Sequence, residues 1–367
     1  MRTRGFRHPA GNPWRGWGDG DAPCVSTLDD VVAPPLSRAV GGVRLHVVTG
    51  KGGVGKTTVA AALGLALSRQ GKRVLVAEVE GRQGISQTFD VPPLGDDEVR
   101  LVGHASGGEL WGLSVDATAA LMEYLQTFYK LGRAGGALER MGVVDFATTI
   151  APGVRDVLLI GKVYEAVTRT TGHRRGHGSL AWDAVILDAP PTGRIARFLN
   201  VNAQVADLAR MGPIHSQAAS ITRMLQDRRS VVHIVTLLEE MPVQETADAV
   251  SELAREGFGL GAVVVNQVRE PFVDEALLAQ VAADPAAAAE QVRTDLASVG
   301  VRAGPRTVDG LLQEASDHAE RVALERELTT EVDTLGLPRL TLPSLPGGVE
   351  DGGITVLADE LVHQGVR

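Results

Sequence analysis

The stretch Gly50-Lys51-Gly52-Gly53-Val54-Gly55-Lys56-Thr57-Thr58 fits the pattern G-x-x-x-x-G-K-[ST]. Glycines at these spacings let backbone N–H groups turn toward phosphate oxygens. Lys56 can reach the terminal phosphates, and the Thr57 hydroxyl can ligate Mg²⁺. An apolar strand is predicted just before the loop, at 44–49, and a helix just after it, at 59–67, whose N-terminus would face the phosphates. The motif and its context predict a nucleotide-phosphate site.

A second lysine makes this loop unusual. Lys51 directly follows the first glycine and stands five positions before Lys56. From its own chain Lys51 does not easily reach the same phosphates. It is therefore either a solvated surface lysine or a lysine that contacts nucleotide bound by a facing subunit.

Composition and charge narrow the class of protein. The 367 residues allow one large α/β domain or two smaller ones, and 44% hydrophobic with 22% charged residues is typical of a soluble globular chain. The net charge of −9 argues against nucleic acid as the main partner. The sequence contains one cysteine, Cys24, which rules out a disulfide framework or a thiolate zinc cluster and fits a reducing compartment.

The sequence also bears on location and domain organisation. No apolar run approaches the roughly 18 residues that span a bilayer, and the N-terminus has no apolar signal-peptide core. We therefore expect a cytoplasmic protein without direct membrane insertion. Residues 1–40 are rich in Gly, Pro and Arg, which predicts a disordered tail before one nucleotide-binding domain at 41–367.

Strands and helices alternate along that domain. This alternation predicts an α/β fold with a mostly parallel sheet covered by helices on both faces. Two helical patterns, at about 117–170 and 194–228, look like insertions between strands. Their apolar residues are either ordinary core or a surface for a client. The Ala-rich segment 274–324 is predicted to be helical, and 339–343 to be a last short strand.

Polar side chains stand where predicted strands end. The strand after the first helix ends in Glu78 and Glu80, and another ends in Asp188 before a Pro-Pro-Thr-Gly turn. Ligands of open α/β sheets bind at the carboxyl ends of the strands. Asp188 is predicted to hold Mg²⁺, directly or through water, rather than to cap a helix. Asn266 ends a further buried strand and either reads the adenine edge with its amide or forms a turn.

These motifs together resemble the arsenical-pump ATPase (ArsA-like) family, which includes the ATPase that guides tail-anchored membrane proteins. The family belongs to the deviant P-loop group, and the resemblance runs from about Gly41 to the C-terminus. The sequence is similar in particular to actinobacterial ArsA-like subunits. Three stretches carry that similarity: Val79-Glu80-Gly81-Arg82-Gln83-Gly84, Ala151-Pro152-Gly153 and Asp188-Ala189-Pro190-Pro191-Thr192-Gly193-Arg194.

The resemblance implies an Mg²⁺-dependent ATPase that works as a dimer. ATP would lie between facing subunits, with Lys56 acting in cis and Lys51 as the signature lysine acting in trans. Glu80 would begin the first switch loop, where the family usually has Asp-Pro-Ala and the aspartate orients the attacking water. The partner would be a second copy or a paralogous ArsA-like subunit, and the inserted helices would meet a client or a membrane-protein partner.

The resemblance also implies the remaining ligand contacts. Thr57 would ligate Mg²⁺ directly, and Asp188 would act through a bound water. Asn266 would read the adenine, and Pro343 would begin the C-terminal loop beside it. Together these residues predict ATP and Mg²⁺ as the cofactors.

Departures from the family pattern leave other functions open. Glu80 keeps a carboxylate but on a longer arm, which favours a nucleotide-gated chaperone or targeting module with little hydrolysis as the alternative. The helices near 198–225 are rich in Ala and polar residues, so a transmembrane-helix client is not supported. A third hypothesis is the soluble motor of an anion or metalloid efflux system, although the missing cysteines argue against arsenite.

Overall fold

The computed structural model describes residues 40–79, 81, 83–116, 119–120, 152–171, 179–208, 213–269, 275–350 and 352–367. Several predictions lie outside these residues. They are the disordered tail over 1–39, the water-orienting role of Glu80 and most of the helical pattern between 117 and 151.

A mixed sheet of eight strands forms the centre of the described chain. Its order is β10-β9-β8-β1-β7-β2-β4-β3, and every neighbouring pair is parallel except β3 with β4. A separate two-stranded sheet pairs β5 with β6. The strands are β1 (Leu45–Gly50), β2 (Arg73–Glu78), β3 (Val99–Gly103), β4 (Glu109–Ser114), β5 (Thr170–Thr171), β6 (Ser179–Leu180), β7 (Ala184–Asp188), β8 (Ser230–Thr236), β9 (Leu260–Val268) and β10 (Arg339–Pro343).

Helices connect these strands and cover both faces of the sheet. They are α1 (Lys56–Arg69), α2 (Gly84–Thr88), α3 (Pro152–Thr168), α4 (Thr192–Leu208), α5 (Pro213–Leu225), α6 (Glu240–Arg255), α7 (Glu275–Ala283), α8 (Pro285–Ser298), α9 (Pro305–Asp333) and α10 (Gly353–His363). The predicted α/β class and mostly parallel sheet are confirmed.

The two-residue period of the strands divides the core between the two faces. On β2, Leu75 and Ala77 belong to the cluster that contains the apolar residues of α3 to α6, whereas Val74 and Val76 belong to the cluster that contains α1 and α10. Both faces are apolar because parallel strands must be covered on each side. By the same two-residue period, Glu78 at the end of β2 lies on the α1 side of the sheet.

The structure differs from the sequence prediction in two local respects. The antiparallel edge strand β3 was not predicted, because its residues are largely exposed and carry no strong apolar signal. The helical segment expected to end near residue 324 continues in α9 to Asp333. Within the second predicted insertion, α4 and α5 pack directly on the sheet, and Phe198 and Ile221 are buried in its core, which agrees with the alternative that their apolar residues are ordinary core.

None of the helices in the described ranges is long and apolar enough to cross a bilayer.

Candidate nucleotide-binding site

The predicted phosphate loop joins β1, at the centre of the sheet, to the N-terminus of α1. The five residues between Gly50 and Lys56 form the turn. A Cβ on Gly50 would overlap the carbonyl oxygen of Val235 on the adjacent strand, so only glycine fits there. Gly55 has φ 89° and passes close to the Asn266 amide, which again requires glycine. Close approach of neighbouring groups therefore requires glycine at positions 50 and 55, independently of phosphate binding.

Lys56 lies within this loop. Its side chain is buried, and Nζ donates a hydrogen bond to the Lys51 carbonyl oxygen at 3.2 Å. The ammonium group is thus held against the backbone that would surround a phosphate. A lysine in this position presents a point charge to phosphate oxygens that approach the N-terminus of α1.

Thr57 and Asp188 meet at the other side of the same loop. Thr57 Oγ1 donates a hydrogen bond of 2.6 Å to Asp188 Oδ2, which joins the first turn of α1 to the carboxyl end of β7. A hydroxyl and a carboxylate are hard oxygen donors of the kind that Mg²⁺ prefers. The residues predicted for magnesium are therefore adjacent and chemically suited to it.

A cavity of about 230 Å³ lies over these residues. The described residues that line it are Gly53, Gly55, Lys56, Thr57, Glu78, Asp188 and Ala189. Glu78 is the charged member of this set to which the sequence prediction assigned no role. Its position at a strand end was the available signal, but Glu80 matched the family pattern instead. Glu80 itself lies outside the described residues.

Lys51 forms an ion pair within its own chain. Its Nζ lies 3.0 Å from Glu245 Oε1 on α6, and each side chain keeps about a third of its surface exposed, 32% and 34%. The other oxygen of Glu245 accepts a hydrogen bond from Thr192 Oγ1 at 3.3 Å. Glu245 therefore joins the phosphate loop to the turn that follows Asp188. The sequence prediction missed this link, because the sequence around Glu245 indicates the start of a helix and nothing about its contacts.

Asn266 and Pro343 lie on adjacent strands at the edge beyond β8. Asn266 is buried, and its Nδ2 donates a hydrogen bond of 2.9 Å to the Val54 carbonyl oxygen. The residue with positive φ at this strand end is Gln267, with φ 57°, rather than Asn266. Pro343 pairs with Val268 at the end of β10. Asn266 therefore braces the phosphate loop, and its adenine contact remains a prediction.

Two buried histidines lie on the adjacent strands β1 and β8. His46 Nδ1 and His233 Nε2 are 3.0 Å apart, and the rings stack at 5.3 Å between centroids. Burial lowers the pKa of His233 to about 4. Burial, followed by the neighbouring His233 and Lys72, lowers the pKa of His46 well below its usual 6.5. Both rings are therefore neutral at physiological pH.

Comparisons with known proteins agree with this site. A sequence model of the family described as "Anion-transporting ATPase" matches residues 43–226, which contain the phosphate loop and Asp188. The chain is 47% identical over 326 residues to "ATPase BagA" of Mycobacterium tuberculosis, covering 89% of this chain and 94% of the relative. The chain belongs to the ArsA-type family of anion-transporting ATPases.

More distant relatives extend the same family. A "Putative arsenical pump-driving ATPase 2" of Aquifex aeolicus is 23% identical over 255 residues, covering 62% of this chain and 80% of the relative. "ATPase GET3" of Malassezia globosa is 23% identical over 283 residues, covering 67% of this chain and 80% of the relative. The family predicted from the motifs is confirmed, as is its P-loop fold.

Proposed function

We propose that this chain is a cytosolic, Mg²⁺-dependent ATPase that works as a dimer and couples its nucleotide state to a partner surface. The observation that carries the proposal is the convergence of Lys56, Thr57 and Asp188 on one cavity at the N-terminus of α1. The dimer partner would be a second copy or a paralogous ArsA-like subunit.

The residues of the cavity suit phosphoryl transfer to water. Catalysis of this kind depends on positioning and on charge stabilisation rather than on covalent chemistry by the protein. Lys56 and the loop N–H groups would hold the β- and γ-phosphates, and Thr57 and Asp188 would hold Mg²⁺. When bound, Mg²⁺ supplies positive charge that neutralises the phosphate oxygens. Glu80 would orient the attacking water, and Asn266 would contact the adenine while it braces the loop.

Lys51 has to leave Glu245 before it can act in a facing subunit. A partly exposed ion pair contributes about 0.2–1 kcal/mol. Hydrogen bonds to charged groups contribute about 1.5–3 kcal/mol. A phosphate of the facing subunit can therefore compete for Lys51 at small cost. Glu245 would keep the hydrogen bond that its other oxygen accepts from Thr192.

Alanine substitutions of the two lysines test the ATPase proposal. Lys56→Ala is expected to abolish nucleotide binding, whereas Lys51→Ala is expected to keep binding but lower turnover. Binding is measured with a fluorescent ATP analogue and turnover by phosphate release. Lys162→Ala, a lysine of α3 that pairs with Glu165, is the charge-matched control. Full ATPase activity of the Lys51→Ala protein would refute the trans role, and unchanged binding by Lys56→Ala would refute the site.

A nucleotide-gated module with little hydrolysis of its own is the second candidate. It is favoured by Glu80, which stands where the family loop usually carries aspartate. Single-turnover hydrolysis by the purified chain, alone and with its co-purified partner, separates the two functions. Brisk hydrolysis by the isolated chain would eliminate the second candidate.

A further inference from the structure

Glu78 is a buried carboxylate inside the candidate nucleotide cavity. Glu78 exposes 2% of its surface, and it lines the cavity together with Lys56, Thr57 and Asp188. In the parallel pairing of β2 with β7, Glu78 lies directly beside Asp188. Paired residues of adjacent strands point to the same face, about 5 Å apart. The two carboxylates therefore share the α1 side of the sheet.

Backbone N–H groups of the following loop hold Glu78 in place. Oε1 accepts from Gln83 N at 2.5 Å, and Oε2 accepts from Ile85 N at 3.2 Å. Gln83 is itself clamped, because its side chain bonds both the N–H and the carbonyl of Leu94. The carboxylate thus ties the segment that follows Glu80 to the end of β2.

The segment 83–88 also packs closely against Thr57, the predicted magnesium ligand. Gly84 lies between Gln83 and Ile85, and a Cβ placed on it would be 2.7 Å from Thr57 Cγ2. The position of the 83–88 segment and the position of Thr57 are therefore linked by contact. Any change in the bonds of Glu78 would reach Thr57 through this glycine.

Formal charge in the cavity favours a divalent cation. Among the described residues that line it, Glu78 and Asp188 supply two negative charges and Lys56 supplies one positive charge. Like charges this close in a partly buried cavity repel each other unless a cation compensates them. Within the described part of the chain, each oxygen of Glu78 accepts from one backbone N–H group, and a carboxylate oxygen can accept a further hydrogen bond from a metal-bound water.

We propose that Glu78 is a metal-linked positioning residue. It completes the cation site of Thr57 and Asp188 from the water shell, and its bonds to Gln83 and Ile85 transmit cation occupancy to the 83–88 segment. The proposal rests on the nucleotide site of the proposed function. A purely structural Glu78 would hold the segment equally well with or without Mg²⁺.

The first test is the Mg²⁺ dependence of nucleotide binding by the full chain. The fluorescent ATP analogue is kept at a saturating concentration while Mg²⁺ is varied. Glu78→Gln is expected to raise the Mg²⁺ concentration that gives half-maximal nucleotide binding about tenfold, as for other outer-shell carboxylates. Glu98→Gln, which removes a carboxylate bonded to Arg169 outside the cavity, should leave that midpoint unchanged. A Glu78→Gln protein that binds nucleotide with the wild-type midpoint overturns the proposal.

The second test uses wild-type protein and so does not depend on the variant folding. Hydrogen exchange of the Gln83 and Ile85 amides is measured with nucleotide, with and without Mg²⁺. Slower exchange in Mg²⁺ supports the link, and identical exchange refutes it. If wild-type protein shows no Mg²⁺-dependent nucleotide binding at all, the proposed function fails as well. A normal wild-type response with an indifferent Glu78→Gln refutes this inference alone.

Discussion

Acid should destabilise this protein because the buried pair of His46 and His233 resists protonation in the folded chain. The tautomers follow from the hydrogen bonds. Ala262 N–H donates to His233 Nδ1 at 3.1 Å, so Nε2 of His233 carries the hydrogen and donates to His46 Nδ1. His46 Nε2 then carries a hydrogen that has no partner among the described residues. A second proton on His233 would place two N–H groups face to face, so protonation must break this arrangement.

The sign and size of the effect follow from the pKa of His233. That pKa is about 4 in the folded chain against 6.5 for an ordinary histidine. The unfolded chain therefore binds more protons, and stability falls as pH drops from about 6.5 toward 4. His233 alone is expected to cost on the order of 1 kcal/mol at pH 6.0 and about 2 kcal/mol at pH 5.0. His46 adds a loss of the same sign, because its pKa is also lowered.

Urea unfolding followed by circular dichroism at pH 7.5, 6.0 and 5.0 measures this loss. His233→Gln keeps an acceptor for Ala262 N–H but does not titrate. It should reduce the pH slope by up to about 1.4 kcal/mol per unit. His363→Gln, which changes an exposed histidine on α10, should leave the slope unchanged. The reasoning is refuted if wild-type stability is the same at all three pH values, or if His233→Gln keeps the full slope.

Three further predictions concern the candidate site. Glu245→Gln should cost less than about 1 kcal/mol in stability. It should also lower the ATP concentration needed for dimerisation, because Lys51 is released. Sedimentation at increasing ATP measures the concentration that gives half-maximal dimer, and an unchanged value would contradict this prediction. Gly50→Ala should destabilise the fold by about 1–3 kcal/mol through overlap with the neighbouring strand, whereas Gly52→Ala, with open space around its Cβ, should melt like wild type. Asn266→Ala should cost about 1–3 kcal/mol by leaving a buried loop carbonyl unsatisfied; urea unfolding checks this, and an unchanged free energy would argue against the brace.

The main features of the site could be predicted from local patterns. The phosphate loop and Thr57 belong to one continuous segment whose glycines and lysine specify the turn. Asp188 was predicted because an apolar strand ends there in an acid, which is the expected place for a ligand in a parallel sheet. The structure places Thr57 and Asp188 within hydrogen-bond distance, at 2.6 Å.

Other contacts could not be predicted because they depend on the order of the strands. Glu78 and Asp188 are neighbours only because β2 pairs with β7, and chain order does not reveal that pairing. Lys51 meets Glu245 only because α6 packs beside the phosphate loop. Asn266 was predicted as a ligand contact or a turn, and neither pattern reveals the bond that it donates to the Val54 carbonyl.

The sequence by itself determined the phosphate loop, the family and the α/β class, because each is written in continuous segments or in the alternation of strands and helices. The tertiary structure decided which charges share the cavity and that Lys51 pairs with Glu245 in a single chain. The physical reason is the short range of these interactions. A carboxylate acts on a metal site or on a lysine only within a few ångströms, and pairing of distant strands and helices sets those distances.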